Sequence, residues 1–269
     1  MLQFLTYLFI AIYTATVIGI ILVVILGNRN PLKTIPWVVV LIFAPVVGLV
    51  FYFFFGQDLR RKRIISRRTY KRLMVYALPA HVRRSDAPVP AACQSLSTLL
   101  TNTSQAVSFY GSRLTHYGDG ASKMTALLEE IEKARDHIHI LYYIFCDDET
   151  GARLQQALIR KAKEGVKVRV LYDDVGCNGV KKEFFQQMRD AGAEVHALLH
   201  VRFPMLTDRV NYRNHRKIVV IDGRVGFFGG MNIADRYVEG TKWGTWRDTH
   251  LRIEGPAVRG LQLLFAVDW

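Results

Sequence analysis

Hydrophobic and polar positions follow three patterns along this chain. The first is an absence of polar charge. Phe4 to Leu26 form 23 residues without a charged side chain, and Thr34 to Gln57 form 24 more. A bilayer core takes about 20 apolar residues per helix, so each run is long enough to span one. Pro36 and Pro45 are compatible with that, because transmembrane helices accommodate prolines. Trp37 and the cluster Phe51, Tyr52, Phe53, Phe54 and Phe55 suit the two interfaces. A signal peptide is the competing reading of the first run. No basic segment precedes Phe4, and a second spanning run follows at once, which counts against it.

The other two patterns begin near Ser95, where helical and strand periods take turns. "KMTALLEEIEKARD" carries apolar residues at helical spacing, and "HIHILYYIF" reads as a buried strand. "TGARLQQALIRKAKEG" is a second amphipathic helix closed by Gly165, "VKVRVLYDD" a strand, "VKKEFFQQMRDAG" a helix closed by Gly192, and "AEVHALL" a third strand. "RKIVVIDG" and "RVGFFGG" form a hairpin that turns at Asp222-Gly223. Ile218 and Val220 lie on one face of its first strand and Val219 and Ile221 on the other. Both faces are apolar, which predicts a central position. "GPAVRGLQLLFAVDW" reads as a packing helix. Such alternation predicts an α/β domain, a sheet flanked by helices.

Charge divides the chain further. The net charge is +13. Residues 57–90 hold ten Lys/Arg and two acids, whereas residues 91–269 hold 24 and 21, a net of only +3. The connector between the apolar runs has only Arg29 and Lys33, while "DLRRKRIISRRTYKRL" after them has eight Lys/Arg. Positive residues stay in the cytoplasm, so the expected organisation is a transmembrane hairpin over 1–57, a basic juxtamembrane connector over 58–90, and a cytosolic domain over 91–269. The basic excess near the membrane suits anionic headgroups. The near-balanced domain argues against nucleic acid as a partner, because backbone binding relies on a strongly basic face. Cys93, Cys146 and Cys177 have neither CxxC spacing nor a nearby His pair. They read as free thiols, and no metal site is expected.

Candidate chemistry concentrates in "NHRKIVVIDGRVGFFGGMN". His215 and Lys217 are two apart on the predicted central strand and so share a face. A phosphate gives such a pair a purpose: Lys217 neutralises its oxygens, and His215 attacks phosphorus to form a covalent intermediate. Asn232 follows Gly229-Gly230, where backbone can approach a ligand closely. Asp147, Asp148, Asp173 and Asp174 end predicted strands, where open α/β sheets place ligands, although turn capping accounts for Asp at such positions. His116, His137, His139, His196, His200 and His250 read as structural or surface residues. Arg202, Arg209, Arg213 and Arg216 form a basic approach to His215, suited to an anionic headgroup or to a solvated loop.

"HRKIVVID" followed by "GGMN" resembles the HKD motif of the phospholipase D superfamily. The apolar hairpin and the blocks "YYIFCDDETG", "GVKVRVLYDDVG", "WRDTHLRIEGPAV" and "LFAVDW" resemble bacterial cardiolipin synthases, in order and over essentially the whole chain. The resemblance implies a phospholipase D-like mixed sheet flanked by helices. It implies that His215 is the nucleophile or its acid/base counterpart, that Lys217 and Asn232 bind phosphate, and that Asp222 is the third motif residue. Asp248 matches the downstream acid that orients the His. Gly230 stands where many members have a phosphate-contacting Ser. No cofactor is implied. The implied activity is a phosphatidyl transfer that makes cardiolipin from two phosphatidylglycerols at the bacterial inner membrane. Phospholipase D-type hydrolysis, a nuclease, and an inactive lipid- or partner-binding half are the alternatives. The superfamily pairs two HKD motifs, and this chain has one, so a second half is expected either from a longer protein or from a homodimer.

Overall fold

A computed structural model describes residues 2–27, 31–52, 66–77, 89–104, 106–201 and 213–269. Phe53 to Phe55, most of the basic connector, Arg202 and Arg209 lie outside the described residues. The chain divides into two units. One contains the N-terminal helices, and the other runs over Ile64–His200 and Arg213–Trp269.

In the first unit, α1 (Leu2–Gly27) has 26 residues and no charged side chain. Several of its side chains lie outside the described set. Among the described residues, no helix is long and apolar enough to cross a membrane. The second apolar run is interrupted within its length. It forms α2 (Pro31–Phe43) and α3 (Pro45–Phe51), which meet at Ala44. Pro45 has no N–H with which to continue the ladder.

The second unit opens with α4 (Arg67–Ala77) and α5 (Gln94–Ser104). There follow β1 (Arg113–Tyr117), α6 (Gly120–Glu132), β2 (His137–Tyr142), α7 (Glu149–Lys163), β3 (Lys167–Asp173), α8 (Lys182–Asp190) and β4 (Glu194–Leu198). The chain ends with β5 (Ile218–Ile221), β6 (Val225–Gly229), the short α9 (Asp235–Val238), β7 (His250–Glu254) and α10 (Val258–Asp268). One seven-stranded sheet has the order β1-β7-β6-β5-β2-β3-β4. β2, β3 and β4 are parallel, and the remaining neighbours are antiparallel. The sheet is thus mixed, as expected. β1 and β7 escape the sequence pattern, because "RLTHY" and "HLRIE" mix polar and apolar residues.

Alternation along the strands sorts side chains into two layers. Ile138, Ile140 and Tyr142, Val168 and Val170, and Val219 and Ile221 face α6, α7 and α8. Leu141, Leu171, Ile218 and Val220 face Val258, Leu261 and Phe265 of α10. All four residues of β5 are buried. Each fully buried aliphatic side chain contributes about 1.5–3 kcal/mol, so the strand that follows His215 is fixed from both sides. The β5–β6 hairpin turns at Asp222-Gly223 as expected: φ is +51° at Asp222 and +62° at Gly223, Arg224 N donates to Ile221 O at 3.0 Å, and Ile221 pairs with Val225.

Candidate active site

Leu141 pairs with Ile218, which brings the start of β5 to the C-terminal ends of the parallel strands. The predicted strand over His215 and Lys217 starts late: both residues lie in the irregular segment just before Ile218. Two buried carboxylates hold that segment. Asp173, at the end of β3, accepts hydrogen bonds from Val175 N and Gly176 N, each at 3.0 Å. It also accepts from Asn214 N and from the Arg213 guanidinium, each at 3.3 Å. Asp268, at the end of α10, accepts from Asn214 Nδ2 at 2.9 Å and Arg216 Nη1 at 2.8 Å. His215 is thus flanked on both sides by residues tied to the scaffold.

The His215 ring is exposed. It stacks on Tyr143 with centroids 3.9 Å apart, and among the described residues it has no side-chain hydrogen bond. Lys217 is buried, 9% exposed. Its Nζ donates to the His215 carbonyl at 2.6 Å and lies 5.3 Å from the Tyr143 ring centroid. Burial pushes the Lys217 pKa down, and the Asp248 carboxylate partly offsets this. The ammonium therefore keeps N–H groups beyond its bond to the His215 carbonyl, beside an imidazole with one face covered by Tyr143.

Asn232 is buried. The segment carrying it pairs with the end of β2, where Cys146 N donates to Ile233 O and Ile233 N to Ile144 O. Its Oδ1 accepts from Ile144 N at 3.1 Å and its Nδ2 donates to Tyr237 Oη at 2.6 Å. One amide hydrogen remains for another acceptor. Asp248 accepts from Thr249 N at 2.6 Å, and no bond from it to His215 is found among the described residues. A Cβ on Gly230 would overlap the Asp248 carboxylate, so a serine there would require Asp248 to move.

Asp222 does not join this group. Its carboxylate accepts from the backbone N–H groups of Arg135, Asp136 and His137 at 2.8–3.0 Å. Burial pushes its pKa up, but those three amides and Arg224 outweigh it, and the net shift is downward. Asp222, the third motif residue, fastens the β5–β6 turn to the start of β2.

The remaining candidates have structural partners. Asp148 caps α7 through Gly151 N and accepts from Asp235 N. Asp147 accepts from Lys181 N, and Asp174 meets His200 at 3.2 Å. Arg213 and Arg216 belong to the two clamps just described rather than to an open basic approach. His139 stacks on Phe265. His250 is fully buried with no hydrogen-bond partner for its ring among the described residues, and burial followed by the charges of Lys123 and Lys217 holds its pKa down to about 2. Lys123 donates to Tyr142 Oη at 2.9 Å, and burial lowers its pKa to about 7. Sequence reasoning missed the parts played by Tyr143, Asp173 and Asp268. The repeated Tyr142-Tyr143 at a strand end was the available signal for the first.

An exposed histidine thus stands beside a buried lysine at the C-terminal ends of the parallel strands. A family profile described as "Cardiolipin synthase, PLD-like domain" matches residues 127–246, and one described as "Phospholipase D-nuclease N-terminal" matches residues 14–57. The major cardiolipin synthase ClsA of Bacillus subtilis is 38% identical over 93% of this chain and 54% of its own length. A cardiolipin synthase of Geobacillus is 40% identical over 95% of this chain and 52% of its own. The chain is similar to these cardiolipin synthases over nearly its whole length, and it spans about half of theirs. NucT from Helicobacter pylori superimposes at TM-score 0.45 with 15% identity, over 59% of this chain and 96% of that one, a likeness too low to bear on function.

Proposed function

We propose that the chain is the His215-bearing half of a membrane-anchored phosphatidyltransferase that makes cardiolipin from two phosphatidylglycerols. The His215 imidazole attacks the phosphorus of the first lipid. The bond to the glycerol oxygen breaks, and an acid on a second HKD half protonates the departing glycerol. A hydroxyl of the second phosphatidylglycerol then attacks the phosphatidyl-histidine, loses its proton to the same group, and frees His215. Lys217 and the spare Asn232 amide hydrogen stabilise the phosphate oxygens, and Asp248 supports the lysine's charge. The second half comes from a longer protein or from a second copy. Residues 1–57 anchor the chain in the bacterial inner membrane, 58–90 meet anionic headgroups from the cytoplasmic side, and 91–269 carry the chemistry.

One observation carries this reading: an exposed imidazole with no side-chain hydrogen bond among the described residues stands beside a buried ammonium, on a segment clamped by Asp173 and Asp268. The solvent exposure of His215 favours a second reading, in which water is the acceptor and phosphatidic acid the product. Incubating a two-motif assembly with phosphatidylglycerol decides between them. Cardiolipin is expected, with an acid-labile, base-stable phosphatidyl adduct trapped on His215. Phosphatidic acid as sole product replaces the transferase with a hydrolase.

A further inference from the structure

The loop Glu239–Asp248 runs from the Asn232 side of the site to Asp248. Its tip is a tight turn, with Thr241 N donating to Gly244 O at 2.8 Å and Gly244 N to Thr241 O at 2.9 Å. Lys242 and Trp243 are its central residues. Trp243 N also donates to Thr241 Oγ1 at 3.2 Å, and φ is +90° at Gly240 and +134° at Gly244, values that favour glycine. This turn holds Trp243 outward at 86% exposure, the highest of any large hydrophobic side chain among the described residues. The Lys242 ammonium lies 4.8 Å from the indole centroid, and Arg247 is exposed. The base of the loop is anchored: the Trp246 ring sits 5.1 Å from that of Tyr237, whose hydroxyl accepts from Asn232.

An indole displayed on a firm turn needs a destination. Its apolar body and polar N–H suit the headgroup level of a bilayer. The loop's two acids, Glu239 and Asp248, lie at its ends, whereas the exposed Lys242 stands at the tip beside Trp243 with the exposed Arg247 on the returning arm, so the tip presents positive charge to an anionic surface. A protein partner would need a wider patch, since stable interfaces bury about 1,200–2,000 Å², and the neighbours of Trp243 are Lys, Gly and Thr. We propose that this loop is an interfacial anchor. Trp243 enters the headgroup region of an anionic bilayer, Lys242 and Arg247 meet lipid phosphates, and the His215 site is seated on the leaflet that supplies its substrate. The direction of seating rests on the lipid reading of the site above.

The test uses the full chain with Trp37, Trp246 and Trp269 changed to Phe, reconstituted into vesicles with brominated acyl chains. Trp243 fluorescence is expected to shift to the blue and to be quenched by bromine. Quenching should be at least about twofold stronger with phosphatidylglycerol present than in pure phosphatidylcholine, as two cations near an anionic surface predict. Because Trp246→Phe touches the loop's base, Trp243→Ser in the otherwise natural chain must lose the same quenched component. Water-like emission with unchanged acrylamide quenching overturns the proposal. So does protection that follows protein concentration rather than bromolipid, which would place Trp243 against a second copy. The readout needs no turnover. Quenching without cardiolipin synthesis would count against the proposed reaction and leave the anchor standing.

Discussion

At one end of β5 the His215 ring lies open to solvent, without a hydrogen bond among the described residues. At the other end the Asp222 carboxylate is held by three consecutive backbone amides. The two residues belong to one short motif, yet the four-residue strand β5 lies between them. The same buried strand serves both. Its start carries an exposed imidazole beside a buried ammonium, and its end carries a carboxylate bound to the backbone. A motif that reads as one unit in sequence thus divides between chemistry and architecture, and the fold's stability and its reactivity can be perturbed separately.

The strongest test of this division is His215→Asn in a two-motif assembly. Turnover of phosphatidylglycerol should fall by several orders of magnitude, while the unfolding midpoint shifts by no more than about 0.5 kcal/mol in stability, as for other exposed positions. A large loss of stability would break the comparison. Lys217→Ala comes next, with an expected loss of about 10²–10³-fold in rate from removal of charge stabilisation in a shielded site.

Asp222→Ala should show the converse. Three backbone donors lose a charged acceptor, which costs about 3 kcal/mol by denaturant unfolding, while the folded fraction retains its turnover. A folded but inactive variant would return Asp222 to the chemistry. The pH dependence sharpens the point. The folded pKa of Asp222 is depressed, so its contribution is present above the ordinary Asp pKa of about 3.9 and is lost as pH falls through the folded value. Asp222→Asn should flatten that part of the acid-unfolding curve.

Asp268→Ala probes the clamp between the two ends. It releases Arg216 and Asn214 beside His215, so kcat should fall by about tenfold or more through misplacement, with KM changed less. An equal effect on KM would show that Arg216 binds substrate instead. Asp248→Asn should be the mildest. Asp248 favours the charged form of Lys217, so its removal lowers the Lys217 pKa further. The alkaline limb of the rate profile should then move to lower pH, with little loss at neutrality.

Much of the fold was legible because it depends on near neighbours. Helical spacing in residues 123–136, 150–165 and 180–192 foretold α6, α7 and α8 to within a few residues. The doubly apolar "IVVI" foretold a central strand, and β5 is the fourth of seven. The mixed patterns of β1 and β7 gave no such signal, since their identity as strands depends on partners far away in sequence. The motif likewise singled out His215 and Lys217, which meet Tyr143, and Asn232, which bonds the next residue, Ile144. Sequence could not say that Asp173 and Asp268 would converge on Asn214 from 41 and 54 residues away, or that Tyr143 would lie under His215. Nor could it say that Asp222 would bond to amides 85–87 positions earlier. Local periodicity fixes which face a side chain takes, because that depends on backbone geometry over two to four residues. Which carboxylate reaches which donor depends on the order of strands in the sheet, and only the packed structure sets that order.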